Sequence, residues 1–441
     1  MTDFRKTSLP LAALFAGWML SAQTANAAAL GGDCCADIEE RIAELEATTA
    51  RKGNRKASLT ISGYIVQQVT YWNDGGETNV YLHGLGPTQA THFKLNGQAQ
   101  IAPGWTAGYL LRIQNLTDNP FGRDGAAALN QNNDEFSQGL NVQMSYWYVQ
   151  NKELGKLSAG KLAHAAKSAA MFTDLSGTQV IDNYTFLGGF PQFIIRTDGN
   201  LAPANLTWGQ LAFCYAQALP LGGDCNGIVM NGVRYDTPAF AGFSASASWG
   251  EDDFWEVAGR YAGEFGGFKI ALAAGYSEFT DENTTGALAA GSHKDTNFFQ
   301  AGGYVQHMAT GLFVHAAYGR EDNSDTTIRI AGADVTPLDS DHWYVKSGIR
   351  QKWTALGATV VYGDYAQYND QLGPGALGLG ATSSEMKRYG GGIAQEIDAA
   401  AMTVYLKYQH YDASLSGAAL NPLVTNLDDA DFVSAGALIN F

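Results

Sequence analysis

From Ala57 onward, apolar and polar residues alternate along the chain in a series of strand-length segments. The alternation is clear in "HFKLNGQAQI" (92–101), "LNVQMSYWYVQ" (140–150), "DFWEVAGRYAGEF" (253–265) and "HWYVKSGIR" (342–350). Successive side chains of a strand point to opposite faces, so each segment predicts a strand with one apolar and one polar face. In 140–150, unbroken alternation places Tyr146 on the apolar face and Trp147 on the polar face.

Alternation alone also fits a β-sandwich, but three features favour a membrane barrel. The segments reach about ten residues, which is long enough to cross a bilayer when tilted. Aromatic residues lie near segment ends, as in interfacial girdles; they are Tyr71, Trp72, Trp105, Trp249, Trp343, Trp353, Tyr408 and Tyr411. Short connections (102–104, 151–154, 237–239, 265–267, 309–311, 397–400) alternate with long polar ones (72–90, 117–138, 163–191, 280–295, 321–340, 368–385, 412–430).

These features predict an all-β fold, a closed transmembrane antiparallel β-barrel spanning residues 57–441. The strand count is 16–18. It depends on whether the short "FIIRT" (193–197) is a wall strand and whether the tight connection "GED" (250–252) is a loop. Either number leaves room for a water-filled lumen.

The N-terminal residues predict export rather than a membrane helix. A basic start, a short apolar run and a small-residue site ending at Ala27 predict a signal peptide over 1–27, removed after export. Residues 28–56 then form a linker and a short periplasmic helix. Its spacing of apolar residues over 37–52 fits a coiled-coil seam or a lone surface helix equally well.

Composition excludes several functional classes. The chain has 27 basic and 43 acidic residues and a formal net charge of −16, which argues against nucleic acid as a partner. No motif of a serine hydrolase, a zinc protease or a nucleotide-binding loop occurs, so we expect neither an enzyme nor a cofactor. The negative charge suggests a mild preference for cations.

The four cysteines fall into two pairs. Cys214 and Cys225 flank a ten-residue segment, and in an oxidising compartment they form either a disulfide or two buried thiols. Cys34 and Cys35 are adjacent, and their state stays open. CxxC spacing is absent, so no metal site is expected.

Several phrases resemble the alphaproteobacterial outer-membrane porins over the whole mature chain. They include "GDCCADIEERIAELEATTARKG" (32–53), "SLTISGYIVQQVTYWNDG" (58–75) and the terminal Phe441. The resemblance implies a water-filled channel for passive diffusion of small hydrophilic molecules and ions in the Gram-negative outer membrane. It also implies a homotrimer among lipid and lipopolysaccharide, a third loop folded inward, and Phe441 as the signal for the assembly machinery.

Alternation and the resemblance together select pore residues. Basic side chains on polar faces are expected in the lumen, because Lys or Arg facing lipid costs about 2–4 kcal/mol; they include Arg196, Arg260, Lys346, Arg350 and Lys407. The connection 163–191 is the expected constriction, with Asp174 and Asp182 facing Lys94 and Arg112 across the pore. Trp147 and Tyr344 are the inward aromatic candidates.

Two alternative functions remain open. A substrate-specific channel would use the same barrel with a dedicated binding track. A structural barrel would tie the membrane to the cell wall through 37–52.

Overall fold

The computed structural model describes residues 57–86, 89–115, 140–184, 193–250, 253–281 and 288–441. The predicted signal peptide and the linker with its helix (28–56) lie outside these ranges. No helix within them is long and apolar enough to cross a membrane.

The described residues are organised almost entirely as antiparallel strands. They are β1 (Thr60–Asn73), β2 (Thr78–His83), β3 (His92–Ala102), β4 (Trp105–Asn115), β5 (Leu140–Asn151), β6 (Gly155–Leu162), β7 (Arg196–Thr197), β8 (Asn200–Leu201), β9 (Met230–Asp236), β10 (Phe243–Gly250), β11 (Trp255–Phe265), β12 (Phe268–Asp281), β13 (Lys294–His307), β14 (Leu312–Asp322), β15 (Ile328–Ile330), β16 (Ala333–Val335), β17 (Ser340–Thr354), β18 (Gly357–Asn369), β19 (Ser383–Ile397), β20 (Met402–Ser416) and β21 (Ala430–Asn440). Helical segments are short: an α-helix at Pro374–Gly378 and 3₁₀ turns at Met171–Thr173, Pro203–Asn205, Trp208–Leu211, Asp398–Ala400 and Pro422–Val424.

Sixteen of these strands close into a ring. The main sheet contains 17 strands, but β2 only extends the long-loop end of β1. The seam joins Tyr64–Asn73 of β1 to β21, while Thr60–Tyr64 of β1 pairs with β3. Closure satisfies every wall strand on both edges, as a bilayer requires.

The segment "FIIRT" is not a wall strand, so the higher count of 18 was wrong. Its Arg196–Thr197 pairs only with Asn200–Leu201, inside the connection between β6 and β9. That connection therefore runs from 163 to 229 rather than to 191. Three consecutive apolar residues in 193–197 suggested a strand, but they pack into the barrel interior instead.

The predicted faces hold along most strands. At the C-terminus Val433, Ala435 and Ile439 point outward, and the exception Leu438 is buried inside the barrel. Two of the expected girdle residues, Trp72 and Tyr411, face inward and are 1% exposed.

One bulge shifts the alternation in β5. Arg112 of β4 pairs with Met144 but Ile113 pairs with Val142, so Gln143 is an extra residue. Beyond it Tyr146 faces the lumen and Trp147 faces outward with 53% of its surface exposed. The inward prediction for Trp147 was therefore wrong, whereas Tyr344 does point inward and is buried.

A charge on the outer face should be costly, whereas one on the inner face should not. Ala301 points outward near the middle of β13, and Gln98 points inward on β3 and is exposed. We expect Ala301→Arg to lower the free energy of unfolding by about 2–4 kcal/mol, because the guanidinium must lie in hydrocarbon. Gln98→Arg is the matched control with little change. Urea unfolding in lipid bilayers measures both; equal stability of the two variants would contradict the assigned faces.

Candidate functional site: the loop inside the barrel

The connection 163–229 turns into the barrel and is anchored to the inner wall at its start. The backbone N–H of Ala165 donates to Ser248 Oγ (2.9 Å), and that of Ala166 donates to Glu256 Oε2 (2.7 Å). One turn later the N–H of Ala170 donates to Gln300 Oε1 (2.9 Å). These wall side chains satisfy backbone donors that a short turn cannot satisfy itself.

Wall glycines make this close approach possible. A Cβ at Gly302 would lie 2.6 Å from the carbonyl oxygen of Ala170, and one at Gly275 would lie 2.8 Å from the Ala166 Cβ. The loop backbone therefore rests directly on the wall of β12 and β13. Any larger residue at Gly302 would push the turn at Met171–Thr173 into the lumen.

Asp174 forms a buried ion pair with the wall. Its Oδ2 accepts from Lys346 Nζ at 2.8 Å, and both side chains are almost fully buried. The same ammonium donates to Thr178 Oγ1 (3.0 Å) and to the carbonyl oxygen of Asp182 (2.7 Å). One lysine thus fastens three points of the loop to β17.

Asp182 lies at the centre of a larger buried network. It accepts from Tyr362 OH (2.9 Å) and Gln409 Nε2 (3.0 Å), and Arg388 Nη2 lies 3.3 Å from its Oδ1. Arg388 also contacts Asp364 and donates to the carbonyl oxygen of Asn183 at 2.7 Å. The network fixes residues 181–184 against β18–β20.

The structure does not bring Lys94 and Arg112 to these carboxylates. The two cations lie opposite each other on β3 and β4. The predicted pairing across the pore is therefore replaced by Lys346 and Arg388 on the wall that the loop touches. The sequence did not single out Arg388, because Lys387 directly precedes it. Strand alternation allows only one of the two to face inward, and it does not by itself decide which.

A sequence model of the Gram-negative porin family matches residues 11–260 and 256–438. The chain belongs to the Gram-negative porin family. Membership is shown for the general family; the narrower alphaproteobacterial resemblance rests on the quoted phrases. The chain is therefore an outer-membrane channel for passive diffusion of small hydrophilic solutes, and porins are not enzymes.

Solved porins share the fold of this porin at low sequence identity. The anion-selective porin of Comamonas acidovorans is 15% identical with a TM-score of 0.54, covering 87% of this chain and 100% of that one. The outer-membrane channel DcaP of Acinetobacter baumannii is 10% identical with a TM-score of 0.51, covering 88% and 99%. Salmonella typhi OmpF, solved with daunomycin, is 14% identical with a TM-score of 0.50, covering 88% and 99%. No curated protein sequence matched.

Three of the other predicted lumen cations of the porin lie on the wall strands and differ in burial and in partner. Lys407 is buried and donates to the carbonyl oxygen of Ile181 (2.8 Å). Arg260 is half-buried and donates to Ser246 Oγ (2.8 Å). Arg350 makes a two-pronged contact with Glu396 (2.7 and 2.6 Å) beside Gly177 of the loop, which has a φ of +91°.

Arg196 is the exception, because it lies in the connection rather than in the wall. Its Nε donates to Asp74 Oδ2 at 2.7 Å, near the long-loop end. The salt bridge ties the connection to the residues after β1. It contributes nothing to the wall charge of the lumen.

The second half of the porin's connection fills the long-loop end of the barrel with an apolar core. Phe193, Trp208 and Leu211 are each 0–1% exposed and pack with inward residues of the wall. The core therefore closes part of the lumen from above. Solutes must pass beside it.

A disulfide between Cys214 and Cys225, with a Cα–Cα distance of 5.1 Å, lies within this second half. Glu321 of β14 accepts the backbone N–H groups of Tyr215 (3.0 Å) and Ala216 (2.8 Å) beside it. The two sulfurs and Glu321 lie close enough to share a metal ion. Metal ligation needs thiolates, however, and bonded sulfurs are not thiolates.

Acidification should weaken the Asp174–Lys346 ion pair only at low pH. Burial opposes ionisation of Asp174, but the Lys346 charge and then His315 outweigh it and lower the pKa of Asp174 to about 2. Since the usual value is about 3.9, the ionised form stabilises the anchored loop above pH 4, and this contribution of about 2–3 kcal/mol is lost as pH falls towards 2. We expect the part of the single-channel conductance that depends on Asp174 to stay constant from pH 7 to 4 and to rise below.

Asp174→Asn is the control for this pH response. The amide cannot titrate, so its conductance should change less between pH 4 and 2. A rise in conductance between pH 4 and 2 that is equally large in Asp174→Asn would contradict the assignment to Asp174.

Proposed function

We propose that solutes cross the porin through the sector of the lumen that the loop leaves accessible, between β3–β6 and loop residues 167–183. Inner-face residues of β3 support this, because Gln98 and Gln100 are exposed and Asn96 is half-buried. The opposite wall is covered: Lys346 and Arg388 are 0% exposed under the loop. The observation that carries the proposal is this one-sided attachment of an internal loop within a closed barrel.

Loop residues 172–180 present a neutral surface to the proposed constriction. Phe172 is 45% exposed, while Leu175, Gln179 and Val180 are half-buried. The carboxylates of Asp174 and Asp182 point away from this surface into their ion pairs. The largest solute that can pass is then set by the width between these loop side chains and Arg112 and Tyr148 of the facing wall.

Conductance across a planar lipid bilayer tests the proposal. Detergent-purified porin should insert as discrete current steps, and liposome swelling with sugars of increasing size should show a cutoff. Phe172→Trp should lower the conductance, whereas Trp147→Phe on the outer face should leave it unchanged. Correctly folded protein without steps would overturn the channel pathway.

We propose a homotrimer, in which three barrels each carry their own pore. Family membership supports it, and the described strands of one chain close around a lumen of their own. Current steps should then occur in groups of three equal size. Steps of one size at random intervals, from protein that runs as a monomer on sizing, would overturn the trimer and leave the pathway intact.

Attachment to the cell wall through 37–52 is a separable second role. β1 begins at the short-turn end, so the described residues 57–59 lie on that side of the barrel. A deletion of 37–52 should conduct normally while loosening the envelope. Unchanged envelope integrity would remove this role.

Phe441 closes the seam between β21 and β1, and we propose that its ring is also the signal for the assembly machinery. Its N–H donates to Gly63 O (3.1 Å), its carbonyl accepts from Gly63 N (2.9 Å), and its ring lies against Gly63. Phe441→Ala keeps both backbone bonds, whereas deletion removes them at about 1–3 kcal/mol. If the ring is the signal, both variants should fail to accumulate in the outer membrane. Normal accumulation of Phe441→Ala would limit Phe441 to a seam role.

A further inference from the structure

Two cations stand side by side on the accessible wall. Lys94 of β3 and Arg112 of β4 are directly opposed in the antiparallel register and face the lumen. Residues opposed in this way have Cβ atoms about 4.5–5.5 Å apart, and like charges there are destabilising. Such a pair of like charges lowers the stability of the fold, so stability does not explain its presence.

Neither cation is neutralised by a carboxylate in the described part of the chain. The side chain of Arg112 contacts His92 (Nη2 to Nδ1, 3.1 Å) and lies near Tyr64, both of which are uncharged neighbours at neutral pH. Lys94 forms no salt bridge with any described residue. Both side chains are half-buried, so they remain in reach of a solute.

A third cation approaches from the loop. Lys167 is half-buried, and its ammonium donates to the carbonyl oxygen of Gly227. Burial lowers the pKa of Lys167, the Asp224 carboxylate opposes this, the Arg112 charge lowers it further, and the Glu256 carboxylate again opposes it. The positive charge of Lys167 is thus opposed by two buried carboxylates, and the unopposed positive charge lies on the wall at Lys94 and Arg112.

Among the described acids, Asp224 and Glu256 act on Lys167 and are buried, and the two carboxylates expected at the constriction bind other cations. Asp174 and Asp182 are enclosed with Lys346 and Arg388. Lower on the described inner wall, Glu396 retains 21% side-chain exposure but is held by Arg350, and Glu264 lies next to the short turn. In the described part of the chain no carboxylate acts on Lys94 or Arg112, so the accessible wall carries positive charge there in place of the expected opposed acids and bases.

We propose that the lumen selects for anions and that Lys94 and Arg112 form a binding step for small solutes carrying a carboxylate or phosphate group. The proposal rests on the diffusion pathway above and deepens it. The net charge of −16 does not oppose it, because a permeating ion responds to charges within about 10 Å, the screening length of the surrounding salt. The cation preference suggested by the total charge is replaced by this local field.

The reversal potential across a bilayer with a KCl gradient tests the selectivity. We expect wild-type porin to pass chloride in preference to potassium. Lys94→Gln and Arg112→Gln should each lower the chloride-to-potassium permeability ratio about two- to fourfold, the effect of one charge about 5 Å from the ion path in water. Arg329→Gln, which removes the same charge from an exposed loop residue near Asp334, is the matched control and should not change it.

Organic solutes give a second readout that does not depend on the arginine variant folding. Proteoliposomes should take up glutamate faster than lysine through wild-type porin, and Lys94→Gln should narrow the difference. Current steps with a potassium preference, or a chloride preference equal in Lys94→Gln and Arg329→Gln, would overturn the inference while the pathway stands. Absence of any steps would instead overturn the proposed function.

Discussion

Arg388→Ala is expected to release loop residues 181–184 from the wall and to widen the channel. Arg388 is fully buried between Asp182 and Asp364 and also holds the carbonyl oxygen of Asn183. Removing it leaves two carboxylates without their cation in a site closed to water. Breaking a buried ion pair in this way costs about 3–5 kcal/mol.

The cost of Arg388→Ala should be avoided by moving the loop rather than by unfolding the barrel. The sixteen-strand ring is closed by backbone hydrogen bonds that the mutation does not touch. Loop residues 181–183 can leave the wall and turn Asp182 towards the lumen, where its carboxylate is rehydrated. Single-channel conductance should therefore rise and its noise increase, with little change in barrel unfolding.

Lys387→Ala is the matched control for Arg388→Ala. Lys387 is the preceding residue, points outward and pairs with Glu385 at a partly exposed site. Exposed pairs contribute about 0–1 kcal/mol, so this variant should conduct as the wild type does. Equal conductance of the two variants would show that the Arg388 network does not set the position of the loop.

The wall of the barrel could be read from the sequence because period-two alternation has few physical solutions. A strand in lipid needs an apolar outer face, so Lys346 and Arg350 had to point inward, as they do. The C-terminal residues Val433 and Ile439 point outward for the same reason. For these wall strands, the period-two pattern and the surrounding lipid both require apolar residues on the outer face.

The bulge at Gln143 could not be predicted because the alternation of apolar and polar residues does not show where an extra residue is inserted. Both phases of 140–150 contain aromatic side chains, so hydrophobicity did not distinguish Tyr146 from Trp147. Only the register against Arg112 and Ile113 reveals the shift. A single inserted residue reverses every side chain beyond it.

The partners of the loop could not be predicted because they depend on where a long connection lies in space. Asp174 and Asp182 were identified as loop carboxylates, but nothing in their spacing distinguishes Lys346 and Arg388 from Lys94 and Arg112. The length of the connection 163–229 could not be predicted either. An apolar run such as 193–197 fits a wall strand and an interior core segment equally well.

Removal of the disulfide is expected to loosen the second half of the connection. The bond between Cys214 and Cys225 closes a loop with a sequence separation of 11. In the chain-entropy account a loop of this length contributes about 2–4 kcal/mol by restricting the unfolded segment. Cys214→Ser/Cys225→Ser should thus make residues 212–229 open more often while the barrel stays closed.

The effect should reach the constriction through Asp224, which precedes Cys225. Asp224 contacts Ser168 and accepts from Gln300 Nε2 (3.1 Å), so it joins the disulfide segment to the first turn of the loop. Loss of the bond therefore weakens both halves of the connection. We expect faster proteolytic cleavage within 212–229 and noisier single-channel currents at the same mean conductance.

Two comparisons isolate the disulfide from other effects of the serine variant. All proteins should carry serine at Cys34 and Cys35, so that no other thiol can exchange with the bond. A reducing agent should then make the otherwise wild-type porin behave like the Cys214→Ser/Cys225→Ser variant and leave that variant unchanged. Glu321→Gln, which keeps the disulfide but weakens the acceptor of the Tyr215 and Ala216 N–H groups, should have a smaller effect. Equal cleavage rates in oxidised and reduced protein would mean that the Glu321 contacts and the apolar core hold the segment without the bond.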